Sequence, residues 1–241
     1  NAPKDERFVL IPHNFRYLKN YLRVYGVQKA DGILGDLGVS SHQFDEATRG
    51  FSIRFEAELD MRMNQKSELT AKKIVNEYDS KALIKMFKDY AEIHNATKLV
   101  GLICEARSDK RISTTNDLKE IIRTCTPKFE EHKYLAKVFQ ALRIEVNQEM
   151  EALKECLTQA VEVLAEKGRL VVISYHSLED RMVKNIIKTG NIEGKEEKDI
   201  IYGTSKKIFK NLSSKPIIPD EGEIKINTRA RSAKLRVGEK I

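Results

Sequence analysis

The sequence contains an uninterrupted apolar run, Arg169-Leu-Val-Val-Ile-Ser174, which leads directly into Tyr175-His-Ser-Leu-Glu-Asp180. The run lacks an alternation of apolar and polar residues, so it is typical of a strand buried on both faces of a parallel sheet. Ser177 and the carboxylate three residues later have the form of a capping box, which predicts a helix that begins at Ser177. A strand, a turn and a helix in this order indicate an α/β fold.

Two further apolar runs precede this one in the chain. Gly32-Ile-Leu-Gly-Asp36 predicts a second strand, and it leads into an irregular turn, Leu37–Ser41, that contains a glycine. Near the start, Arg7–Ile11 predicts another short strand, ended by Pro12, and Asn14 is placed to cap the helix that follows. The succession of strand, turn and helix therefore occurs more than once.

A long helical pattern lies immediately upstream of the run Arg169–Ser174. Apolar residues recur at steps of three or four from Leu135 to Leu164, which predicts a long helix with one apolar face. Gly168 is placed to end that helix.

The middle of the chain has a different pattern from the two ends. Between about residues 67 and 132 there are short helical stretches and no strand-like run. We therefore expect an α/β core made of residues 1–66 and 133–241, with residues 67–132 as a helical insertion. Candidate caps for the helices of the insertion are Thr70, Ser80 and Thr114.

The C-terminal part is basic. Gly194–Ser214 is rich in lysine and has little periodicity, which predicts a flexible loop between core elements. Glu223–Asn227, followed by the basic stretch 228–237, predicts either a pair of strands or one strand with a basic tail.

Composition excludes several classes of protein. The 241 residues include 43 Lys and Arg against 36 Asp and Glu, and the resulting formal charge of +7 favours polyanionic partners. No apolar run approaches the roughly 18 residues of a membrane span, and the first residues do not form a signal peptide, so we expect no membrane association. The five histidines form no pair one helical turn apart, so we expect no bound metal. The cysteines also lack metal or disulfide spacing, which favours a reducing, cytoplasmic setting; they are Cys104, Cys125 and Cys156.

Residues that follow the two strands are candidates for a binding site, because open α/β sheets bind ligands at the carboxyl ends of their strands. Asp36 can accept hydrogen bonds from a ribose or an amino group, and Gly38 lets the backbone approach a ligand closely. A tight turn between a strand and a helix is the alternative interpretation. After the other strand, His176 is the residue that could face a pocket. A serine hydrolase is disfavoured, because the turn Gly38-Val-Ser-Ser-His42 lacks the second glycine of a G-x-S-x-G elbow.

Basic residues form two groups. Arg49, Arg54 and Arg62 are interleaved with aromatic and apolar residues, a texture that suits phosphate and base binding and equally an ordinary, partly buried loop. The second group lies near the C-terminus and forms either a solvated basic tail or a phosphate-binding surface. Its members are Arg229, Arg231, Lys234 and Arg236.

Six segments, in order along the chain, resemble the bacterial ribosomal RNA small subunit methyltransferase H family. They are Asp36-Leu-Gly-Val-Ser-Ser-x-Gln43-x-Asp45, Arg49-Gly-Phe-Ser52, Leu59-Asp-Met-Arg-Met63, Phe139-Gln-Ala-Leu-Arg-Ile-Glu-Val-Asn147, Gly168–Arg181 and Arg231-Ser-Ala-Lys-Leu-Arg236. The resemblance implies a Rossmann-like class I methyltransferase core with an inserted helical domain. It also implies transfer of a methyl group from S-adenosylmethionine to N4 of a cytidine in the decoding region of small-subunit (16S) ribosomal RNA.

The resemblance also implies which residues form the site. The family's cofactor contacts correspond to Phe15, Asp36 and Gln43. Asp36 and the turn after it are also our hypothesis for the element that orients the target amine. We expect the insertion to recognise RNA, and the partner to be ribosomal RNA or the assembled small subunit.

This chain lacks the first strands of the family and the glycine-rich loop that holds the methionine part of the cofactor, so we expect an upstream segment in the native protein. A basic RNA-binding or ribosome-assembly protein without catalysis is the alternative function. A methyltransferase that acts on a small molecule is disfavoured by the basic segments.

Overall fold

The chain folds into two compact units. The computed structural model describes residues 4–40, 46–127, 130–196 and 207–241. We call Asn1–Gly38 with Met150–Ile241 the sheet unit, and Val39–Glu149 the helical unit. The predicted α/β fold with an inserted helical domain is confirmed, because the chain leaves the sheet unit once and then returns to it.

Helices form most of the regular structure in the described residues. In chain order they are α1 (Leu18–Val24), α2 (Ala71–Glu77), α3 (Ser80–Ala91), α4 (Ala96–Asp109), α5 (Thr115–Arg123), α6 (Glu131–Asn147), α7 (Glu149–Val163), α8 (Ser177–Thr189) and α9 (Glu221–Ile226). Short 3₁₀ turns lie at Phe15–Tyr17, Ala47–Arg49 and Thr228–Ser232. None of the described helices is long and apolar enough to cross a membrane.

A mixed sheet is the centre of the sheet unit. Its strands are β1 (Ala30–Asp36), β2 (Leu164–Ser174), β3 (Phe209–Asn211) and β4 (Lys234–Lys240). They lie in the order β1-β2-β4-β3, with β1 parallel to β2 and β4 antiparallel to both of its neighbours. The sheet packs on α7 and α8 through one apolar cluster, which includes Leu157, Val172 and Ile186.

The strands predicted at Gly32–Asp36 and Arg169–Ser174 are present as parts of β1 and β2. The expectation that both faces of these strands are buried is wrong. β1 lies at one edge of the described sheet, and its Leu34 side chain is 72% exposed. In β2, Leu170 and Val172 are buried, whereas Val171 and Ile173 are only half-buried. Each strand therefore turns one face towards the core, although neither shows alternation in sequence.

The predicted strand Arg7–Ile11 is wrong, because this segment pairs with no strand of the described sheet and its Phe8 and Leu10 are exposed. Asn14 caps the next element as predicted. Its Oδ1 accepts a hydrogen bond from the backbone N–H of Arg16 at 3.0 Å, at the start of the turn that continues as α1.

The predicted long helix is two helices followed by a strand. The chain breaks at Gln148, which has a φ of +50°, and it enters β2 at Leu164. Gly168 lies within β2 and ends no helix. A Cβ atom there would lie 2.8 Å from the carbonyl oxygen of Ala165, so this irregular part of the strand requires glycine.

The helical unit is wider than the predicted insertion, residues 67–132. Its core includes Leu142 of α6, because α6 packs on α2, α3 and α5. Leu59 and Met61, upstream of the predicted boundary, are fully buried in the same core. Thr70 and Thr114 cap α2 and α5 as predicted, whereas Asp79, and not Ser80, caps α3.

The C-terminal segment differs most from its prediction. Glu223–Asn227 is not a strand, because Asp220 accepts a hydrogen bond from the N–H of Glu223 at 2.8 Å and starts α9. The predicted basic tail includes β4, which is paired on both sides within the sheet. In the predicted loop Gly194–Ser214, β3 is present and residues 197–206 lie outside the described part of the chain. Cysteines 104, 125 and 156 form no disulfide in the described structure.

Candidate active site

Asp36 and Tyr175 meet where the two parallel strands end. Asp36 is the last residue of β1 and lies opposite Ile173 of β2, so the residue that follows β2 reaches the same edge of the sheet. The Tyr175 hydroxyl donates a hydrogen bond to Asp36 Oδ1 at 2.9 Å. The second carboxylate oxygen accepts no hydrogen bond from the described residues. One oxygen of an exposed carboxylate is therefore held, and the other is available to a ligand.

Tyr175 keeps its proton over the whole physiological range. Burial, followed by its hydrogen bond to Asp36, raises the pKa of Tyr175 to about 12. The hydroxyl therefore remains a hydrogen-bond donor to the carboxylate at neutral pH.

The turn after β1 requires its glycine. Gly38 has a φ of +86°, in the region that favours glycine, and a Cβ atom there would make only an ordinary contact of 3.6 Å with the Tyr175 ring. Backbone conformation, and not crowding, is thus the reason for glycine at this position. The turn continues to Ser40, and predicted site residue Gln43 lies outside the described residues.

His176 and Glu179 form the capping box of α8. Glu179, a buried carboxylate, accepts hydrogen bonds from the N–H groups of Tyr175 at 2.8 Å and of His176 at 3.4 Å. The N–H of Glu179 donates in turn to His176 Nδ1 at 3.5 Å. The prediction that Ser177 and Asp180 form this box is therefore wrong by one residue. Because Glu179 holds the backbone of Tyr175, it also fixes the residue that contacts Asp36.

The His176 side chain is only 10% exposed. Its Nε2 lies 3.2 Å from Glu179 Oε1 but makes no hydrogen bond with the described residues. His176, the residue that the sequence indicated as a pocket candidate, lies in the lining of a cavity of the sheet unit.

Asp180 anchors the C-terminal strand. Arg236 donates two hydrogen bonds to it, at 2.6 and 3.1 Å, and the Nζ of Lys234 lies 3.7 Å from it. Burial is the largest single influence and opposes ionisation of Asp180. The hydrogen bonds and charge of Arg236, together with the charges of Lys234 and Lys184, outweigh it and hold the pKa of Asp180 below its usual value. Arg236 thus has a structural role in the sheet unit.

The cavity lies beside Tyr175. It has a volume of about 280 Å³ and is lined by residues 175–177, 218–219, 224 and 231–234. Arg231 and Lys234 line it, whereas Arg229 is exposed and does not. The cavity therefore brings two of the predicted basic residues together with His176.

The loop arginines lie in the helical unit. Arg49 donates to the carbonyl oxygens of Arg62 and Met63, and its guanidinium group lies 5.3 Å from the centre of the Phe51 ring. Arg62 binds Asp60 at 2.6 and 3.0 Å and also donates to two loop carbonyl oxygens. Both side chains fasten their own loop, and only Arg54 of this group is exposed.

Phe15 lies on the 3₁₀ turn before α1, and its side chain is 48% exposed. The turn is held on α7, because Arg16 donates to Glu155 at 2.6 and 2.8 Å and Gln159 donates to the Arg16 carbonyl oxygen at 2.6 Å. An aromatic ring is therefore presented to solvent on a fixed support.

Comparison with known proteins places the chain in a family. The profile of the MraW methylase family matches residues 2–241. The chain belongs to the MraW methylase family. It is therefore a methyltransferase, and the resemblance found in its motifs is confirmed.

Curated relatives of this MraW methylase include the ribosomal RNA small subunit methyltransferases H of three bacteria. The protein of Flavobacterium johnsoniae is 55% identical over 241 residues, which cover 100% of this chain and 79% of the relative. That of Flavobacterium psychrophilum is 57% identical over 240 residues, or 82% of its length. That of Bacteroides thetaiotaomicron is 54% identical over 240 residues, or 79% of its length.

Two residues of the site were not singled out from the sequence, Tyr175 and Glu179. Tyr175 follows β2 directly, and the parallel pairing of β1 with β2 would have placed it near Asp36, whereas Glu179 lies in the first turn of α8 and accepts from the N–H of Tyr175. The position of a residue just after a strand could therefore have indicated a site residue, whereas its residue type could not.

Proposed function

We propose that this methyltransferase acts on N4 of a cytidine in the decoding region of small-subunit ribosomal RNA and that S-adenosylmethionine is its methyl donor. The names of its relatives support ribosomal RNA as the substrate. The observation that carries the chemistry is the Asp36–Tyr175 pair, which leaves one carboxylate oxygen available at the strand ends. We place the reaction in the cytoplasm, where ribosomal RNA is found.

The described residues fit part of a methyl-donor site. Phe15 offers an exposed ring for the adenine, and Asp36 offers an acceptor for a ribose hydroxyl or an amino group. Gln43 would be a third contact. When bound, S-adenosylmethionine supplies an electrophilic methyl group.

Asp36 would also prepare the target amine. The lone pair of cytosine N4 is delocalised into the ring, so N4 attacks well only when that pair is localised and the N–H groups are held. A carboxylate oxygen that accepts from the amino group does both, and it is a place to which the proton lost from N4 can be directed. Positioning of this kind can lower a barrier by about 7–11 kcal/mol.

Only one oxygen of Asp36 is available in the described structure, because Tyr175 holds the other. That oxygen serves either the cofactor or the target amine at a given moment, and we assign it to the amine. The assignment predicts that loss of the charge affects turnover more than cofactor binding.

RNA contacts are proposed at exposed and half-exposed basic side chains of both units. In the sheet unit they are Arg229, Arg231 and Lys234, and in the helical unit Arg54. The helices of residues 67–132 are proposed to contribute to RNA recognition. Free ribosomal RNA and the assembled small subunit are both candidate substrates.

The test is methyl transfer from labelled S-adenosylmethionine to small-subunit ribosomal RNA, free and assembled, followed by mass spectrometry of the digested nucleosides. N4-methylcytidine is the expected product. Asp36→Asn should lower kcat about 100-fold, while calorimetry shows little change in the Kd for S-adenosylmethionine. Asp31→Asn is the matched control, because Asp31 is an exposed carboxylate in the same strand.

Three results would contradict the proposal. Full turnover by Asp36→Asn would remove Asp36 from the chemistry. A methyl group on another nucleoside would exclude N4 of cytidine. RNA binding without any methyl transfer would favour the alternative of a non-catalytic RNA-binding protein.

A further inference from the structure

We infer that the cavity beside Tyr175 binds the RNA nucleotide adjoining the target cytidine and that Arg231 and Lys234 hold its phosphate. The inference rests on the proposed function, because it takes the strand-end carboxylate as the site of the target amine. It adds a subsite in which a neighbouring part of the same RNA strand is bound.

The cations of the cavity are available to a ligand. Arg231 makes no hydrogen bond or ion pair with the described residues, and its side chain is exposed. Lys234 lies 3.7 Å from Asp180, which already accepts two shorter hydrogen bonds from Arg236. Asp180 is thus largely satisfied, and the ammonium group can turn to a phosphate.

The remaining lining suits the rest of a nucleotide. Ile218, Pro219 and Ile224 provide an apolar wall against which a base or sugar can pack. Three carboxylates act electrostatically on Tyr175, those of Asp36, Glu179 and Glu223, so a phosphate is expected on the cations and not beside the tyrosine. A volume of about 280 Å³ lies just below the usual range of roughly 300–1,000 Å³ for ligand pockets, so the cavity has room for no more than one nucleotide.

Tyr175 connects the cavity to the reacting carboxylate. It lines the cavity, and its hydroxyl donates to Asp36. A nucleotide in the cavity would therefore lie next to the one whose amine reaches Asp36. Proteins bind specific RNA mostly as single strands with separated bases, and two neighbouring subsites agree with that mode.

The experiment measures binding of fluorescein-labelled RNA oligonucleotides that contain the decoding-region cytidine. In each oligonucleotide, one phosphate near that cytidine is replaced by an uncharged methylphosphonate. The wild-type protein should lose about tenfold in affinity when one phosphate flanking the cytidine is neutralised, and little at more distant phosphates. Arg231→Gln should bind the unmodified RNA about tenfold more weakly and be much less sensitive than the wild type to that same substitution, because only Lys234 then remains on the phosphate.

Arg229→Gln is the matched control. Arg229 is exposed and lies in the same 3₁₀ turn, but it does not line the cavity. This variant should keep the position-specific sensitivity of the wild type, even if its overall affinity falls. The slope of log Kd against log salt should fall by about one in Arg231→Gln.

The inference is overturned if the wild type binds all the oligonucleotides equally or none of them, or if Arg231→Gln keeps the sensitivity at the flanking phosphate. Methyl transfer to the same RNAs is measured separately. Transfer with no dependence on phosphate position contradicts only the inference. Position-specific binding without transfer contradicts the proposed function and leaves the phosphate subsite supported.

Discussion

The loop of the helical unit that contains Arg49, Arg54 and Arg62 and the C-terminal segment of the sheet unit both contain several arginines but use them differently. In the loop, Arg49 and Arg62 donate hydrogen bonds to backbone carbonyl oxygens of the loop itself. In the C-terminal segment, Arg236 is fixed on Asp180, whereas Arg231 lines a cavity and has no bonded partner among the described residues. Internal hydrogen bonds, and not sequence texture, thus separate arginines that hold the fold from arginines that can hold RNA.

The largest expected effect is on stability at Arg236. The side chains of Arg236 and Asp180 are only 11% and 14% exposed, so Arg236→Ala leaves a carboxylate with little access to water. We expect the free energy of unfolding to fall by about 3 kcal/mol. Urea denaturation measures it, with Arg231→Ala as a control that should change the stability by less than about 0.5 kcal/mol. Equal effects of the two substitutions would remove the distinction between the two arginines.

The Arg236–Asp180 pair predicts that the free energy of unfolding depends on pH. The pKa of Asp180 is lowered in the folded protein, so its ionised form is bound more strongly there than in the unfolded chain. Its contribution is complete above the unfolded pKa of about 3.9 and is lost as the pH falls through the lower folded value. The difference in unfolding free energy between wild type and Arg236→Ala should therefore be constant from pH 7 to about 5 and shrink below about pH 4. A difference that grew on acidification would contradict this assignment.

The next effect is expected in the loop. Arg62→Ala removes the partner of Asp60 and the donor to the carbonyl oxygens of Gln65 and Ser67. This pair is less buried than Arg236–Asp180, so we expect a loss of about 2 kcal/mol in the free energy of unfolding. Urea denaturation at pH 7 is the measurement. If Arg62→Ala left the stability unchanged and weakened RNA binding, Arg62 would be an RNA-binding arginine like Arg231 and not a structural one.

The presence of β1 and β2 and the residues at their carboxyl ends could be predicted from sequence, because both strands contain local apolar runs. The site was only half predictable. Asp36 could be proposed from its position at the end of a strand, but its partner Tyr175 lies 139 residues away and is brought near by sheet pairing alone. Periodicity also failed at Gln148, since it reports burial and does not tell which of two cores receives each face.

The cap of α8 shows why a local motif can be wrong by one residue. The pairs His176–Glu179 and Ser177–Asp180 both have a side-chain acceptor followed three residues later by a carboxylate. Asp180 accepts hydrogen bonds from Arg236, which lies 56 residues away in sequence. Glu179 instead accepts the backbone hydrogen bonds of the capping box. A contact distant in sequence therefore decides between two local alternatives.

Tyr175 combines a structural role with a functional one. The fold fixes its position, and its hydroxyl contacts the carboxylate that we propose to act on the target amine. Tyr175→Phe removes the hydrogen bond to Asp36 Oδ1 and should lower kcat about tenfold while the KM for RNA changes little. Tyr25→Phe is the control, since the Tyr25 hydroxyl has no partner among the described residues. Equal changes in kcat and KM would indicate a structural effect instead of positioning.

The smallest effect is expected at Arg54, the exposed arginine of the loop. Its guanidinium group makes no hydrogen bond with the described residues, so Arg54→Gln should leave the free energy of unfolding within about 0.5 kcal/mol of the wild type. RNA affinity, measured by fluorescence anisotropy, should fall about twofold, because an exposed charge acts on RNA through screened electrostatics. Raising the salt should remove even that difference. If Arg54→Gln instead destabilised the fold as much as Arg62→Ala, exposure would not distinguish arginines available to RNA from those that hold the loop.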